Sequence, residues 1–458
     1  MITNLNVNQS ADLKLQLGTF YIAVWGCQMN VYDTGRIRDL LISKGYAEVA
    51  SPKDASVVIL VTCAVRAKAE NKVFNQIDAW RHQGDVRDET VVALGGCVGT
   101  ELGQKILDED RGVSIVFSPK TIHRLPDLIE LYKATSRPVC DVEADSMEKF
   151  DSLPLQGRSG ASAFVTIMEG CSNKCTYCIV PYTRGEEKSR DVADILNECK
   201  NHLKEGAREL HLLGQNVNSF CGLNEDGSEC SFAELLYEVA ALPGVQRIRF
   251  TTSNPMDFTQ EVVEAIGALP IIADAIHIPV QSGSDTILQR MHRRYTAASY
   301  LKLVEDIRKV RPSARISSDF IVGFPGESDA QFEETMELVR KVKFDQSFSF
   351  IYSKRPGTPA AEYPDEVSLE EKKQRLYRLQ ALLEQCAKDY SQEYLHTVQD
   401  VLVEGTSSKD ENELKARSSA NRIVVFKGSK DLVGSMVKVK IVQILPHTLR
   451  GELLSVNP

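Results

Sequence analysis

The chain has no excess of positive charge. Its 458 residues carry 54 Lys and Arg against 63 Asp and Glu, a formal net charge of -9, and no basic tail is visible. A polyanionic partner must therefore be met by a local basic patch and not by the whole molecule. Long apolar runs are missing too. No window offers roughly 18 uncharged apolar residues, and the opening MITNLNVNQSADLKLQLGTF has no continuous apolar stretch of the kind that starts a secretory leader. A soluble, cytoplasmic protein with no membrane partner is expected. A disulfide framework is not expected either: eleven cysteines is an odd number, and thiols in that compartment stay reduced and open to metals. No heptad run demands a coiled-coil partner, so a monomer is expected.

What is present is an alternation of β-branched runs with 3.6-residue helical patterns, the mark of a parallel α/β architecture. In the first stretch FYIAVWGC, SVVILVTC and TVVALGGC each end in a cysteine, at Cys27, Cys63 and Cys97. Helical patterns lie between them, with Ile37, Leu40 and Leu41 on one face and Val73, Phe74 and Ile77 on another. Parallel strands present their C-terminal ends at one sheet edge, where open α/β folds bind ligands. Singly, each cysteine reads as a buried core residue; together they read as a converging set. Charged and then Gly/Ser-rich sequence from Cys140 to Ser162 suggests a boundary, giving an open parallel α/β domain over 1–145.

A second alternation follows over 146–385: AFVTIME, ELHLLGQNV, RIRFTTS, AIHIPVQS, RISSDFIVGF and SFSFIYS, separated by helical segments. Six βα units predict a partial (β/α)6 barrel, with function at the strands' C-terminal ends. After Pro364 comes a long amphipathic helix carrying Leu376, Leu379, Leu382 and Leu383. The remainder, 386–458, holds VQDVLVEG, RIVVFKG, SMVKVKIVQILP and TLRGELL, short strands predicting a small β-barrel. Residues 391–458 carry nine Lys and Arg against eight Asp and Glu, net +1, against -10 for the rest. This end is the least repelled by a polyanion.

Directly after the first strand of the second series stands GCSNKCTYCIVPYTRG, with Cys171, Cys175 and Cys178 within eight positions. Three thiolates can hold three irons of a cubane cluster and leave the fourth iron open to a non-protein ligand. A structural zinc site would be closed by a second CxxC pair or by histidines, and none lies nearby. Cys27, Cys63 and Cys97 repeat the count of three. A protein-ligated electron carrier or RNA-binding sensor would need a four-cysteine run, which is missing. Cys140, Cys199, Cys221, Cys230 and Cys386 have no ligand spacing.

The CxxxCxxC loop, with Tyr177 before its last cysteine, resembles the radical S-adenosylmethionine superfamily. GCQMN at Gly26, TCAVRAKAENKVFNQI at Thr62, GGC at Cys97, the GCSNKCTYC loop, LLGQNVNSF, IPVQSGSD and DFIVGFPGE together resemble its methylthiotransferases, specifically the MiaB-type tRNA 2-methylthioadenosine synthases, whose TRAM domain the C-terminal segment is similar to. TSNP at Thr252 to Pro255 departs from the family's TSHP-like motif by placing Asn254 where a histidine is usual.

The resemblance implies two 4Fe-4S clusters, on Cys171, Cys175 and Cys178 and on Cys27, Cys63 and Cys97, with S-adenosylmethionine chelating the open iron of the first. It implies cleavage to a 5'-deoxyadenosyl radical and methylthiolation of C2 of isopentenylated adenosine 37 in tRNA, sulfur coming from the second cluster and methyl from a second S-adenosylmethionine. A reducing flavodoxin or ferredoxin system would supply electrons. Tyr177, Gln215, Asn216, Ser253, Gln281, Ser282 and Asp319, with the Gly323 to Gly326 turn, are candidates for the cofactor. Arg184 is a candidate for substrate or cofactor carboxylate, with an ion pair to Glu186 or Glu187 as the structural alternative. Lys415, Arg417, Arg422, Lys427 and Lys438 are candidates for phosphates of the anticodon stem-loop. Threonylcarbamoyladenosine in tRNA or an aspartate of a ribosomal protein are the alternative acceptors.

Overall fold

The computed structural model describes residues 17–63, 67–154, 160–251 and 253–456. The opening stretch to residue 16, residues 64–66 of TCAVR, 155–159 of the Gly/Ser-rich segment and Thr252 of TSNP lie outside the described residues. The chain forms two compact units, 1–154 and 155–458.

The first unit is built on one parallel sheet of six strands: Tyr46–Glu48, Gly18–Trp25, Val57–Thr62, Val91–Gly96, Ile115–Phe117 and Val139–Asp141, in that spatial order. The two central runs VVILVT and VVALGG are buried at every position, as a sheet covered on both faces requires. Ile37, Leu40 and Leu41 of helix Gln28–Ser43 cover one face; Val73, Phe74 and Ile77 of helix Ala67–Gln83 cover the other. The strand order reverses between Gly18–Trp25 and Val57–Thr62, which makes their C-terminal ends the topological switch point where doubly wound folds bind ligands.

The stretch read from sequence as a boundary belongs partly to this unit. Val139–Asp141 is its edge strand, paired with Ile115–Phe117, and Lys149 of helix Glu148–Ser152 is buried 3.4 Å from the buried carboxylate of Asp33.

In the second unit the six expected strand regions form three parallel ladders. Arg247–Phe250, Glu209–Leu213 and Ser162–Thr166 make one, Ala275–His277 with Arg315–Ser317 the next, and Asp319–Val322 with Phe348–Ile351 the last. Single bridges, Ile248 to Ile272 and Gln281 to Phe320, link them. Alternation along the strands sets the two faces. Leu210, Leu212, Ile248, Phe250, Ile276 and Phe320 join the apolar layer under the helices. Glu209, His211, Arg247, Arg249, His277 and Asp319 therefore project from the opposite, inner face. Helix Leu369–Glu393 starts with a capping box, Ser368 with Glu371, and buries Lys372, Arg375, Leu379, Leu383 and Cys386 along one stripe.

The C-terminal segment closes into a five-stranded barrel in the order Val398–Thr406, Glu413–Ser418, Ile423–Lys427, Leu449–Val456, Met436–Ile444. It has one strand more than the four read from sequence. Glu413–Ser418 carries Leu414, Ala416 and Ser418 inward while Lys415 and Arg417 point toward solvent, and its charged residues hide the pattern.

The turn after that strand reaches into the (β/α)6 portion at the N-terminal ends of its strands. Arg249 donates to the carbonyls of Ser418 (2.6 Å) and Ser419 (3.0 Å), Arg247 donates to that of Arg417 (2.9 Å), and the Ser419 hydroxyl accepts from the Asp274 amide (2.8 Å). Both arginines also bond one oxygen of buried Glu209, at 3.1 and 2.8 Å. The small barrel thus sits at the end of the strands opposite the cysteine loop.

Candidate functional site

In the first unit Trp25, Thr62 and Gly96 stand level in register across three adjacent strands. The residues that follow are therefore delivered to one place: Cys27 caps helix Gln28–Ser43, Cys63 directly follows its strand, and Cys97 opens helix Cys97–Leu102. The Cys63 thiol is held well above its usual range by hydrogen bonds to Cys27 and Cys97, with burial adding to them. Cys27 also donates to Asn30 Oδ1 at 3.1 Å.

Two glycines make this convergence possible. A β-carbon at Gly26 would lie 2.8 Å from that of Cys63, and one at Gly96, whose φ is +84°, would lie 2.3 Å from the Thr62 carbonyl oxygen. Among the described residues no three His, Cys, Asp or Glu side chains close around a single metal ion. The Cys63 thiol, costly to ionise on its own beside the other two, is matched to a cationic inorganic core.

In the second unit the loop from Gly170 to Ile179 leaves the barrel after the short strand Met168–Glu169, which pairs with Lys188–Ser189 and pins the loop at its base. Gly170 has φ +77°, and a β-carbon there would lie 2.0 Å from the Glu186 carbonyl oxygen, so only glycine fits. The Cys171 amide donates to the Gly185 carbonyl at 3.1 Å. Burial pushes the Cys178 thiol up to about 12, neighbouring Cys175 adding to the effect, and burial raises Cys171 as well. Tyr177 packs against an apolar cluster that includes Ile287, Met291 and Phe324, and burial raises its phenol.

The cofactor candidates separate by what they touch. Gln215 accepts a short hydrogen bond from the Gly170 amide, while its Nε2 is buried without a partner. The Ser253 hydroxyl is likewise buried and unpaired. Gln281 holds a left-handed backbone, φ +69°, unusual for a residue with a side chain. All three follow strand C-terminal ends, the edge from which the cysteine loop rises. Such orphaned amide and hydroxyl groups fit a polar ligand seated there.

Asn216 and Ser282 are instead occupied. Asn216 donates to Asp257 (2.7 Å) and accepts from the Asn254 amide (3.1 Å); Ser282 contacts Thr335 (3.3 Å) and accepts from the Ser284 amide. Asp319 lies on the inner face, 3.5 Å from His277. The turn from Gly323 to Gly326 is braced by Glu327, which accepts from the Gly323 amide at 2.7 Å and pairs with Arg375. Asn254, in the unusual motif position, accepts from the Met256 amide as a cap and is clamped by Asn218.

The substrate candidates fare differently. Arg184 is buried and bound to Glu169, not to Glu186 or Glu187. Arg422 is buried against Asp345 and the Ala387 carbonyl. Lys415 and Arg417 share Glu404, and Lys438 pairs with Asp400 at 2.9 Å. Lys427 is exposed. Sequence reasoning passed over Arg293, whose Nη1 donates to Cys175 Sγ at 3.3 Å, and the inward set Glu209, Arg247 and Arg249; the run HRRY at 292–295 was the available signal for the first.

An inner-faced partial barrel bearing a three-cysteine loop defines the class. A family described as the Radical SAM superfamily matches residues 165–339, and the TRAM domain matches 392–454. A third, described only as Uncharacterized protein family UPF0004, matches 19–118. The radical S-adenosylmethionine methyltransferase TsrM from Kitasatospora setae, with cobalamin and a 4Fe-4S cluster bound, shares the fold at 14% identity and TM-score 0.55, covering 75% of this chain and 74% of that one.

The particular family follows from closer relatives. The tRNA-2-methylthio-N(6)-dimethylallyladenosine synthase of Vibrio cholerae serotype O1 is 50% identical over 434 residues, 94% of this chain and 92% of that protein. The protein of the same name from Photorhabdus laumondii is 49% identical over 435 residues, 95% and 91%. The chain belongs to this family of radical S-adenosylmethionine transferases, and with it comes a 4Fe-4S cluster and S-adenosylmethionine as cofactors. No helix among the described residues is long and apolar enough to cross a membrane.

Proposed function

We propose that this protein transfers a methylthio group to C2 of N6-dimethylallyladenosine at position 37 of tRNA. The observation that carries the reading is the pairing of two separate thiol triplets, each at the C-terminal edge of its own parallel sheet, in a chain half identical to enzymes of that name. Cys171, Cys175 and Cys178 would hold one 4Fe-4S cluster, and Cys27, Cys63 and Cys97 a second that serves as sulfur source. Loaded in this way, the protein gains one-electron chemistry able to break an unactivated C–H bond, together with a sulfur donor.

The chain's own residues bind, orient and exclude. Gln215 and Ser253 offer free polar groups to S-adenosylmethionine beside the cysteine loop, Gln281 stands at the same edge, and Tyr177 with its apolar neighbours keeps water from the loop's underside. An unpaired anticodon-loop adenosine can be splayed into such a site at less cost than a duplex base. The small barrel offers Lys415, Lys427 and Lys438 to the stem, since surface ion pairs exchange partners for roughly 1 kcal/mol or less. Arg422 and Arg184 serve the fold. We read the working protein as a cytoplasmic monomer reduced by a flavodoxin or ferredoxin system.

The test is anaerobic reconstitution followed by assay on tRNA bearing dimethylallyladenosine, on tRNA bearing threonylcarbamoyladenosine and on the ribosomal-protein acceptor. Methylthiolation of the first alone is expected, and it should vanish in Cys27→Ala and in Cys175→Ala. Turnover confined to either other acceptor would overturn the assignment.

A further inference from the structure

Five consecutive residues, Arg290 to Arg294, strap the cysteine loop from behind. The Arg290 and Met291 carbonyls accept from the hydroxyl (2.9 Å) and amide (3.1 Å) of Thr176. His292, at φ +58°, meets the Lys174 carbonyl at 2.9 Å, and Arg294 reaches Asn173 Oδ1 at 3.5 Å. Arg293, at the centre, points its guanidinium at a ligand sulfur, Nη1 to Cys175 Sγ at 3.3 Å.

The rest of that guanidinium is tied to neutral groups: Nε donates to the Tyr295 hydroxyl at 2.8 Å, Nη2 donates to the Pro279 carbonyl at 3.1 Å, and the Tyr295 ring lies 5.0 Å away. Among the described residues no carboxylate pairs with it. Three buried arginines here do have one: Arg184 has Glu169, Arg190 has Glu198, Arg375 has Glu327. Arg293 is half-buried, and a guanidinium drawn partly out of water without a carboxylate is costly unless an anion lies elsewhere within reach. The anion at hand is the thiolate side of the cluster site.

We propose that Arg293 is a positioning residue that sets the reduction potential of the cluster held by Cys171, Cys175 and Cys178. The inference rests on the reading of those three cysteines as cluster ligands. A cluster held there would take one electron from an external low-potential reductant, which would make the assembly one unit more negative. The fixed positive charge of Arg293, bonded to a ligand sulfur, favours the more negative state and so raises the potential. Its fork to Tyr295 and Pro279 keeps the charge from swinging away.

The experiment uses the full chain carrying Cys27→Ala, Cys63→Ala and Cys97→Ala, so that one cluster remains, and follows the reduced cluster by EPR during a redox titration. Arg293→Gln removes the charge; Arg293→Lys keeps it. With iron content retained, Arg293→Gln should lower the reduced-to-oxidised ratio at the parent midpoint about tenfold or more, a fall of about 59 mV or more for one electron. Arg293→Lys should stay within about threefold of the parent on the same scale. An unchanged midpoint in Arg293→Gln, an equal fall in both variants, or loss of iron from both overturns the proposal. A parent that takes up no cluster sinks instead the ligand reading beneath it.

Discussion

Arg184 Nη1 lies 3.1 Å from both carboxylate oxygens of Glu169, and both side chains are buried at the base of the cysteine loop. Arg184→Ala takes a charge partner away from that buried carboxylate and should destabilise the second unit by about 3 to 5 kcal/mol. Adding Glu169→Gln should recover part of the loss. Thermal unfolding of the single and double variants checks this; a residue used only to grip substrate would leave stability untouched.

Gly96 carries the next expectation. Gly96→Ala places a methyl group 2.3 Å from the Thr62 carbonyl oxygen at φ +84°, between two of the thiol-bearing strand ends. The conformation alone, φ 84° with ψ -165°, costs about 1 to 3 kcal/mol for a residue with a side chain. Reconstituted Gly96→Ala should hold about four irons where the parent holds about eight. Iron and sulfide analysis with Mössbauer spectroscopy reads the outcome, and full occupancy would contradict it.

His211 predicts acid sensitivity. Burial pushes its imidazole down to about 3 from an ordinary 6.5, against the pull of Glu209, so the folded protein holds it neutral. Between those values the unfolded chain binds the extra proton. Stability therefore falls as pH drops below 6.5, with a slope of up to about 1.4 kcal/mol per pH unit from this group. Melting curves from pH 7 to 5 should be flatter in His211→Gln than in the parent; parallel curves would refute the assignment.

The small barrel gives a paired test. Lys427→Ala and Lys438→Ala should weaken tRNA binding and each lower the salt slope by about 1 while leaving the melting temperature in place. Arg422→Ala should do the reverse, because its buried partner Asp345 is left unpaired. Filter binding at several salt concentrations beside thermal melts separates the two behaviours.

Much of this was legible beforehand because it lies in local patterns. The three cysteine-ended strands and the six βα units are runs whose periodicity survives any tertiary context. Strand Glu413–Ser418 was not legible, since its outward Lys415 and Arg417 break an apolar reading. Nor were the ion pairs. Arg422 reads as a free cation in one dimension and Arg184 as one with Glu186 or Glu187 beside it, and only the fold shows that Asp345 and Glu169 hold them. Gln215 and Ser253, by contrast, are left with unpaired polar atoms at the strand ends where the sequence had placed candidates.

The arginine clasp on the turn after Glu413–Ser418 also bears on how the protein is made. Arg247 and Arg249 bond carbonyls 170 residues further along the chain. During synthesis the strands carrying these arginines leave the ribosome long before the residues that cap them, while chains fold from the N-terminus as they emerge. Until residues 417–419 arrive, the inner charges Glu209, Arg247 and Arg249 face water and the barrel floor stays open. The turn at Arg417 to Ser419 is thus also the stopper, and its arrival fixes the moment at which the floor of the half-made barrel is covered.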